Sequence, residues 1–224
     1  MSVLYIVATP IGNLEDISQR ALRILSEVDL ILCEDTRTTK KLLEHFAVKT
    51  PVLSYHQHSQ LKKVEEIIQL LKNGKNLALV SDAGTPGISD PGNKLIANLT
   101  EAEPLSVKIV PIPGPSALTA AAGISGFPMD KFVFMGFPPA KKKRQKFFEE
   151  VVNSKYPVIF YESPYRIIKS LTELKTINEK LEVVVGRELT KKFETIYRGT
   201  IEEILAQLKP AEIRGEFTVI VKGK

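Results

Sequence analysis

The sequence predicts an α/β protein built from two α/β domains. Short apolar runs of strand length alternate with amphipathic segments of helix length about four times in the first half. Three prolines between residues 111 and 115 then interrupt this alternation. In the second half, two neighbouring strand-like segments follow each other without a helix between them. Alternating strands and helices are typical of a parallel sheet that carries helices on both faces, and 224 residues suffice for two such domains.

The first half opens with a continuous apolar run at residues 3–8, which is typical of a strand buried on both faces. Further strands are predicted at residues 30–33, 51–54, 77–80 and 107–110. The segments between them place apolar residues at helical spacing, and one helix is predicted at 40–46. Residues suited to helix starts are Asp16 or Ser18, Ser59, and Asp90 followed by Pro91.

The prolines at 111–115 form a stiff connector, so we place the domain boundary there and predict domains at 1–112 and 113–224. Strands of the second domain are predicted at residues 132–135, 158–161, 181–186, 195–198 and 217–221. Its helices are predicted at 141–152, 164–174 and 201–208, the last capped by Thr200. The adjacent strands at 181–186 and 195–198 predict a mixed sheet.

Composition narrows the protein class. A net charge of +5, with 25% charged and 43% hydrophobic residues, is typical of a soluble globular protein and excludes a disordered chain. No apolar run approaches the length of a membrane span. The start lacks a basic region before an apolar stretch, so we expect no signal peptide and a cytoplasmic protein. The single cysteine, Cys33, excludes an internal disulfide and a cysteine-based metal cluster.

Three loops that follow predicted strands are candidates for a ligand site, because ligands of open α/β sheets bind at the carboxyl ends of strands. Their sequences are TPIGNL (9–14), SDAGTPGISDPG (81–92) and PGPSA (113–117). The first is also compatible with a simple tight turn. The second holds three glycines, two prolines and two carboxylates, more than a turn requires. Asp82 directly follows a buried strand, where it can accept hydrogen bonds from a ligand hydroxyl or amine.

Several ligand classes are disfavoured. The chain has no G-x-x-x-x-G-K-[ST] motif, and no G-x-G-x-x-G follows the first strand, which argues against a P-loop NTPase and a dinucleotide-binding dehydrogenase. His56 and His58 have suitable spacing for a metal only if a carboxylate joins them. With no cysteine or third histidine nearby, we expect no metal site.

A set of motifs extends over nearly the whole chain: LYIVATPIGNL (4–14), EDTR (34–37), VSDAGTPGISDPG (80–92), PGPSA (113–117), GFPP (136–139), FYESPYR (160–166) and RELTK (187–191). In content and order they resemble the ribosomal RNA small subunit methyltransferase I family. The long loop containing Asp82 is the most specific of these motifs. Most family members continue into a helical extension after the last strand, which we expect to be absent here because the chain stops at Lys224.

The resemblance implies the tetrapyrrole-methylase fold, in which two α/β domains bind S-adenosylmethionine in the cleft between them, usually as a homodimer. It also implies methyl transfer to the ribose 2′-hydroxyl of a cytidine in the decoding region of 16S ribosomal RNA, with the small ribosomal subunit as partner. Cobalt-precorrin methyltransferases and diphthine synthase share the fold. By analogy with them, the predicted cofactor contacts are Pro10, Ile11, Gly12, Asp82, Gly84, Thr85, Ser116, Ala117 and Tyr161.

A ribose hydroxyl is a poor nucleophile, so a general base or a cation that stabilises the alkoxide would help. The candidate bases are Glu34, His56 and Glu188, with Asp35 and Glu162 as further carboxylates near the motifs. Each has a structural alternative. These are a helix cap for Glu34 and Asp35, an exposed loop position for His56, an ion pair of Glu162 with Arg166, and paired charges at a strand end for Glu188 with Arg187.

Residues 141–146 hold five cations and no acid, a local charge equal to the net charge of the whole chain. The predicted RNA contacts are Arg37, Lys141, Lys142, Lys143, Arg144, Lys146 and Arg166. The alternative for the basic segment is a solvated helix face. Two other functions remain open: methylation of a tetrapyrrole on the same fold, and a binding module that keeps the cofactor pocket without catalysis.

Overall fold

The computed structural model describes residues 2–56, 61–90, 92–101, 107–208 and 213–224. Three sequence predictions lie outside these residues: the cap at Ser59, the first helical position at Pro91 and a metal-binding role for His58. The chain divides into two compact units, Met1–Ser116 and Ala117–Lys224, whereas the predicted boundary lies between residues 112 and 113. Within the described ranges, no helix is both long and apolar enough to span a bilayer.

The first unit contains a five-stranded sheet with the order β3-β2-β4-β1-β5. Its strands are β1 (Val3–Val7), β2 (Leu30–Cys33), β3 (Val52–Ser54), β4 (Leu77–Leu79) and β5 (Lys108–Ile112). Every pair of neighbouring strands is parallel; Leu4 of β1, for example, lies opposite Leu77 on one side and Ile109 on the other. The parallel sheet predicted from the alternation is therefore confirmed.

Helices cover both faces of this sheet, as predicted. They are α1 (Gln19–Glu27), α2 (Thr36–His45), α3 (Leu61–Lys72) and α4 (Gly92–Glu101). Buried side chains of α1 and α2 share one core with Ala78 and Val80, while those of α3 and α4 share a second core with Leu77 and Leu79. Successive residues at the end of β4 thus enter opposite cores, as the alternation of side chains along a strand requires.

Local chemistry sets the helix ends. The Ser18 hydroxyl accepts a hydrogen bond from the Ala21 N–H (3.1 Å) and begins α1. The Asp35 carboxylate accepts one from the Arg37 N–H (2.8 Å), so α2 starts at Thr36 rather than at residue 40 as predicted. Helix α3 ends at Lys72, and the φ of +81° at Gly74 lets the Lys75 N–H reach the Leu70 carbonyl (3.1 Å).

The second unit holds a mixed five-stranded sheet with the order β6-β7-β10-β8-β9, which confirms the prediction. Its strands are β6 (Val133–Phe134), β7 (Val158–Glu162), β8 (Glu182–Arg187), β9 (Thr195–Thr200) and β10 (Phe217–Val221). Its helices are α5 (Ala117–Ile124), α6 (Arg144–Asn153), α7 (Ile167–Ile177) and α8 (Ile201–Gln207). Thr200 caps α8 as predicted, within a reciprocal capping box with Glu203.

Strand directions decide where the loops of the second unit emerge. Strand β6 is parallel to β7, while β7 and β8 both run antiparallel to β10. Strands β6, β7 and β8 therefore point the same way. The loops that follow them, at residues 135–143, 163–166 and 188–194, all emerge at one edge of this sheet. In the first unit, every loop that follows a strand likewise emerges at the carboxyl edge.

Candidate functional site

The first unit changes winding direction between β1 and β4, which are neighbours in the sheet. Helix α1, which follows β1, contributes Ala21 and Leu25 to one core. Helix α4, which follows β4, contributes Leu95 and Leu99 to the core on the other face. Because the chain leaves adjacent strands toward opposite faces, a crevice opens at their carboxyl ends, where open α/β sheets bind ligands.

The loops that follow β1 and β4 are joined by backbone hydrogen bonds. The Thr9 N–H donates to the Gly84 carbonyl (2.9 Å), and the Gly84 N–H donates to the Thr9 carbonyl (3.0 Å). The buried Thr9 hydroxyl also donates to the Ser81 carbonyl (3.3 Å). Gly84 has a φ of +81°, and a Cβ at this position would lie 3.4 Å from Cγ2 of Ile11. The two loops therefore form one ordered pair.

Two further loops join this pair at the same edge. The Thr85 hydroxyl donates to the Pro115 carbonyl (3.2 Å), which connects the loop after β5. The Asp35 N–H donates to Oδ1 of Asp82 (3.1 Å), which connects the loop after β2. The loops of this edge carry seven predicted cofactor residues: Pro10, Ile11, Gly12, Asp82, Gly84, Thr85 and Ser116. The other two, Ala117 and Tyr161, belong to the second unit, at the start of α5 and within β7.

The carboxyl edge of the first unit is acidic. Asp82 is exposed, and within the described residues its Oδ2 accepts no hydrogen bond. Burial, together with repulsion from Asp90 and Asp82, raises the pKa of Glu34 above its usual range. In contrast, hydrogen bonds from Arg37 hold the pKa of the half-buried Asp35 at about 2. The edge thus offers an exposed carboxylate, Asp82, beside a half-buried one, Glu34, that resists ionisation.

The side chains at this acidic edge fit S-adenosylmethionine. The cofactor carries a sulfonium, an ammonium and ribose hydroxyls, and an acidic edge favours a cation. The exposed carboxylate of Asp82 can accept hydrogen bonds from an ammonium or a hydroxyl. The described residues include no group of three or more His, Cys, Asp or Glu side chains arranged to hold a metal ion.

The three candidate bases have different surroundings. Glu34 and His56 follow β2 and β3, so both belong to the carboxyl edge of the first unit; Glu34 is half-buried and His56 is exposed. Glu188 lies in the second unit, where its carboxylate accepts hydrogen bonds from Lys191 Nζ (2.8 Å) and the Glu216 N–H (3.0 Å). Burial acts to raise the pKa of Glu188, but these bonds outweigh it and lower that pKa. Glu188 is therefore a paired charge at a strand end, but its partner is Lys191 rather than the predicted Arg187. The Arg187 guanidinium instead donates to the carbonyls of Arg214 and Phe193.

The second unit contains a buried carboxylate, Glu162, whose side chain is 0% exposed. Its Oε1 lies 3.0 Å from Arg166 Nε and accepts a hydrogen bond from the Ser163 N–H (2.8 Å). Its Oε2 accepts one from the Ser170 hydroxyl (2.5 Å) and lies 3.8 Å from Arg144 Nη2. The predicted ion pair of Glu162 with Arg166 is confirmed, and Arg144 extends it into a network.

Arg144 corrects the predicted basic segment. Its side chain is only 5% exposed, because Nε pairs with Glu173 (2.6 Å), Nη1 donates to the Pro139 carbonyl (3.1 Å) and Nη2 donates to the Ser170 hydroxyl (2.7 Å). The expected exposure of Arg144 is therefore wrong, and we remove it from the predicted RNA contacts. Its partners Ser170 and Glu173 were missed, since they lie on α7, far along the chain.

The other predicted RNA contacts remain accessible to different degrees. Lys141, Lys142, Lys143 and Lys146 are exposed, and none of them forms an ion pair with any residue that the structure describes. Lys143 has a φ of +66° and precedes the first residue of α6, so the predicted helix start at 141 lies three residues too early. Arg37 is 86% exposed and pairs with Asp35 (2.6 Å). Arg166 is half-buried against Glu162.

Comparison with known proteins places these features in context. Residues 3–205 match the family model for tetrapyrrole (corrin/porphyrin) methylases. The chain is 45% identical, over 100% of both chains, to ribosomal RNA small subunit methyltransferase I of Thermotoga maritima. It is also 45% identical to the protein of that name from Synechocystis, of which it covers 80%, and 44% identical to that of Bacillus subtilis, of which it covers 76%.

Solved structures share the fold at low sequence identity. The methyltransferase CobJ superposes with a TM-score of 0.71 at 16% identity, over 99% of this chain and 93% of the other. The cobalt precorrin-4 methyltransferase CbiF superposes with a TM-score of 0.69 at 19% identity, over 98% and 94%. Both enzymes support the two-unit α/β architecture.

Replacing Glu162 with glutamine tests the buried network. Glu162→Gln removes the charge between Arg144 and Arg166, and losing one partner of a buried ion pair costs about 3–5 kcal/mol. We expect the free energy of unfolding, measured by urea denaturation, to fall by that amount. Glu179→Gln, at an exposed position, serves as the control and should leave it unchanged. A loss of less than about 1 kcal/mol would show that the pairs contribute no more than surface pairs do.

Replacing Glu34 with glutamine tests the strain at the acidic edge. Because the folded state raises the pKa of Glu34, ionising this group disfavours folding. Glu34 therefore contributes most to folding stability below the usual carboxyl pKa of about 4.3, where it is protonated in both states. This contribution is lost as the pH rises through the raised pKa of Glu34 in the folded protein. We expect Glu34→Gln to be more stable than the wild type at pH 7 and equally stable below about pH 4. A stability difference that does not change with pH would contradict this explanation.

Proposed function

The chain belongs to the tetrapyrrole methylase family, alongside the ribosomal RNA small subunit methyltransferase I proteins, and from this premise we propose that it methylates small-subunit ribosomal RNA with S-adenosylmethionine as donor. The observation that carries the proposal is 45% identity over the full length of a relative with that name. The finer proposal is transfer to the ribose 2′-hydroxyl of a cytidine in the decoding region of 16S ribosomal RNA. This finer proposal follows from the motifs, as do our proposals of a cytoplasmic location and a homodimer.

The first unit supplies the donor side of the proposal. When bound, S-adenosylmethionine would supply a methyl group on a sulfonium. A nucleophile in line with the carbon–sulfur bond takes this methyl group, and the sulfur leaves as a thioether. We assign Asp82 to bind a hydroxyl or the ammonium, since its carboxylate is exposed and half of its acceptor capacity is open among the described residues. The hydrogen bonds between Thr9 and Gly84 fix the two loop backbones that carry Ile11 and Thr85. We include Ala117 and Tyr161 because the resemblance implies them.

The acceptor side needs a group that removes a proton from the ribose hydroxyl. We assign this role to Glu34, because a raised pKa brings a carboxylate closer to the operating pH and makes it a better base. His56 is the second candidate at the same edge. Glu188 is a weaker one, since its carboxylate is engaged by Lys191 and Glu216. The exposed lysines at 141–143 supply positive charge for RNA phosphates.

A tetrapyrrole substrate is the alternative that the fold alone allows, since CobJ and CbiF share it. Those similarities stand at 16–19% identity, however, whereas the relatives at 44–45% are named for ribosomal RNA. Three lysines in a row that form no ion pair with any described residue also suit a polyanion better than a small macrocycle.

Labelling small ribosomal subunits tests the function directly. The protein is incubated with methyl-labelled S-adenosylmethionine and with subunits that lack the modification, and the label is mapped by nuclease digestion. We expect label on the 2′-oxygen of a cytidine. Label on a base would refute the finer proposal, and the absence of label from RNA in any form would refute the function itself.

Replacing Asp82 with asparagine tests the donor site. Asparagine preserves an acceptor for the Asp35 N–H but removes the charge, so we expect S-adenosylmethionine to bind at least about tenfold more weakly, in line with the loss of one charge-assisted hydrogen bond. Binding is measured by calorimetry. Asp29→Asn is the matched control, because Asp29 belongs to the same unit but precedes β2 and so lies at the opposite edge of the sheet. Unchanged affinity in Asp82→Asn would mean that Asp82 does not contact the donor.

A further inference from the structure

Two neighbouring loops at one edge of the second sheet each expose an aromatic side chain that has no role in the account above. Tyr165, in the loop after β7, is 95% exposed, and Phe137, in the loop after β6, is 52% exposed. Strands β6 and β7 are parallel, so both loops emerge at the same edge. Exposing large apolar rings to water is unfavourable, and a protein that keeps two of them on neighbouring loops commonly uses them for binding.

Contacts of two guanidinium groups, one buried and one half-buried, hold these loops together. Arg166, next to Tyr165, donates from Nη1 to the Pro138 carbonyl (3.2 Å), next to Phe137. Arg144 donates to the following carbonyl, Pro139 (3.1 Å). Both arginines are anchored by the buried carboxylate of Glu162. The backbones that carry the two rings are therefore fixed before any ligand arrives, which reduces the entropy lost on binding.

Phe137 also continues a row of aromatic rings. Its centroid lies 5.5 Å from that of Tyr161, which in turn lies 4.9 Å from that of Phe134. Tyr161 is among the residues assigned to the donor. A planar group stacked on the exposed part of Phe137 would thus extend a row of three rings within the second unit.

Charge next to the rings indicates which planar group fits. Lys141, Lys142 and Lys143 begin four residues after Phe137, are exposed and form no ion pair within the described ranges. Rings bordered by free cations are the combination that binds single-stranded nucleic acid, because unpaired bases stack on the rings while lysines meet the phosphates. A second copy of the chain fits less well, since a symmetric interface across this patch would bring the lysines of both copies into one interface.

We propose that Phe137 and Tyr165 form a stacking surface for unpaired RNA bases, with Lys141, Lys142 and Lys143 as its phosphate-binding border. The surface selects single-stranded nucleotides that flank the nucleotide to be methylated, because a duplex does not present the faces of its bases. The identity of the RNA rests on the proposed function, whereas the stacking itself does not.

Abasic RNA separates stacking from charge. Binding of the wild-type protein, without methyl donor, is measured by fluorescence anisotropy for a short single-stranded RNA and for the same oligomer without bases. We expect about tenfold tighter binding of the RNA that has bases, as stacking of one base typically provides. Tyr165→Ala and Phe137→Ala should remove most of this preference, while Tyr165→Phe should keep it.

Two further variants serve as controls. Replacing Lys141, Lys142 and Lys143 with glutamine should weaken binding and flatten its salt dependence but keep the preference for bases. Phe132→Ala removes an exposed ring that precedes β6, at the opposite edge of the sheet, and should change nothing. Because Tyr165 is almost fully exposed, its replacement should leave the unfolding midpoint unchanged.

Two results would overturn the proposal. One is equal affinity of the wild-type protein for the two oligomers. The other is an unchanged base preference in Tyr165→Ala and Phe137→Ala. If these variants also dissociate a dimer in sedimentation, the surface is instead an interface between copies. Failure of the proposed function is distinguishable, since it appears as absent methyl transfer to ribosomal subunits while the base preference persists.

Discussion

Parallel strands impose the constraint on which both units depend. A chain that adds a strand in the same direction must cross back over the sheet, so the loops that follow the strands collect at one edge. In the first unit this brings together the loops at 9–14, 81–90 and 113–116, which are far apart in sequence. In the second unit, β6, β7 and β8 point the same way, and their loops carry the basic segment, Tyr165 and Glu188. The chemistry of each unit is therefore concentrated at one edge.

The buried carboxylate of Glu162 has a different role from the carboxylates of the first unit. Removing a charge from water is expensive, and it is tolerated here because two guanidinium groups, a hydroxyl and a backbone N–H surround it. The same guanidinium groups bind the carbonyls of Pro138 and Pro139. The network thus connects the buried core of the second unit to the surface loop at Pro138 and Pro139 and fixes the backbone of that loop. In the first unit, the carboxylate of Asp82 remains exposed and available for a ligand.

Features set by neighbours in sequence were predictable, whereas features set by distant partners were not. The caps at Ser18, Asp35 and Thr200 follow from a side chain two or three residues before the N–H it binds. In the sequence, Arg144 is one of five cations in a basic segment. In the structure it is buried, because its guanidinium donates hydrogen bonds to Ser170 and Glu173 on another helix. The sequence makes Glu188 a candidate base, but in the structure its carboxylate accepts a hydrogen bond from the N–H of Glu216. The exposure of Tyr165 was equally hidden, since exposure depends on what the rest of the chain leaves uncovered.

The paired hydrogen bonds between Thr9 and Gly84 have a consequence for evolution and engineering. Because each loop supplies both a donor and an acceptor to the other, neither can change length without unpairing two buried groups. Gly84 is further restricted by its backbone conformation and by its closeness to Ile11. At the proposed donor site, diversity is thus confined to side chains that project from this frame, such as the exposed Asp82 and Ala83. A library for altered donor specificity would vary these positions and leave the frame itself untouched.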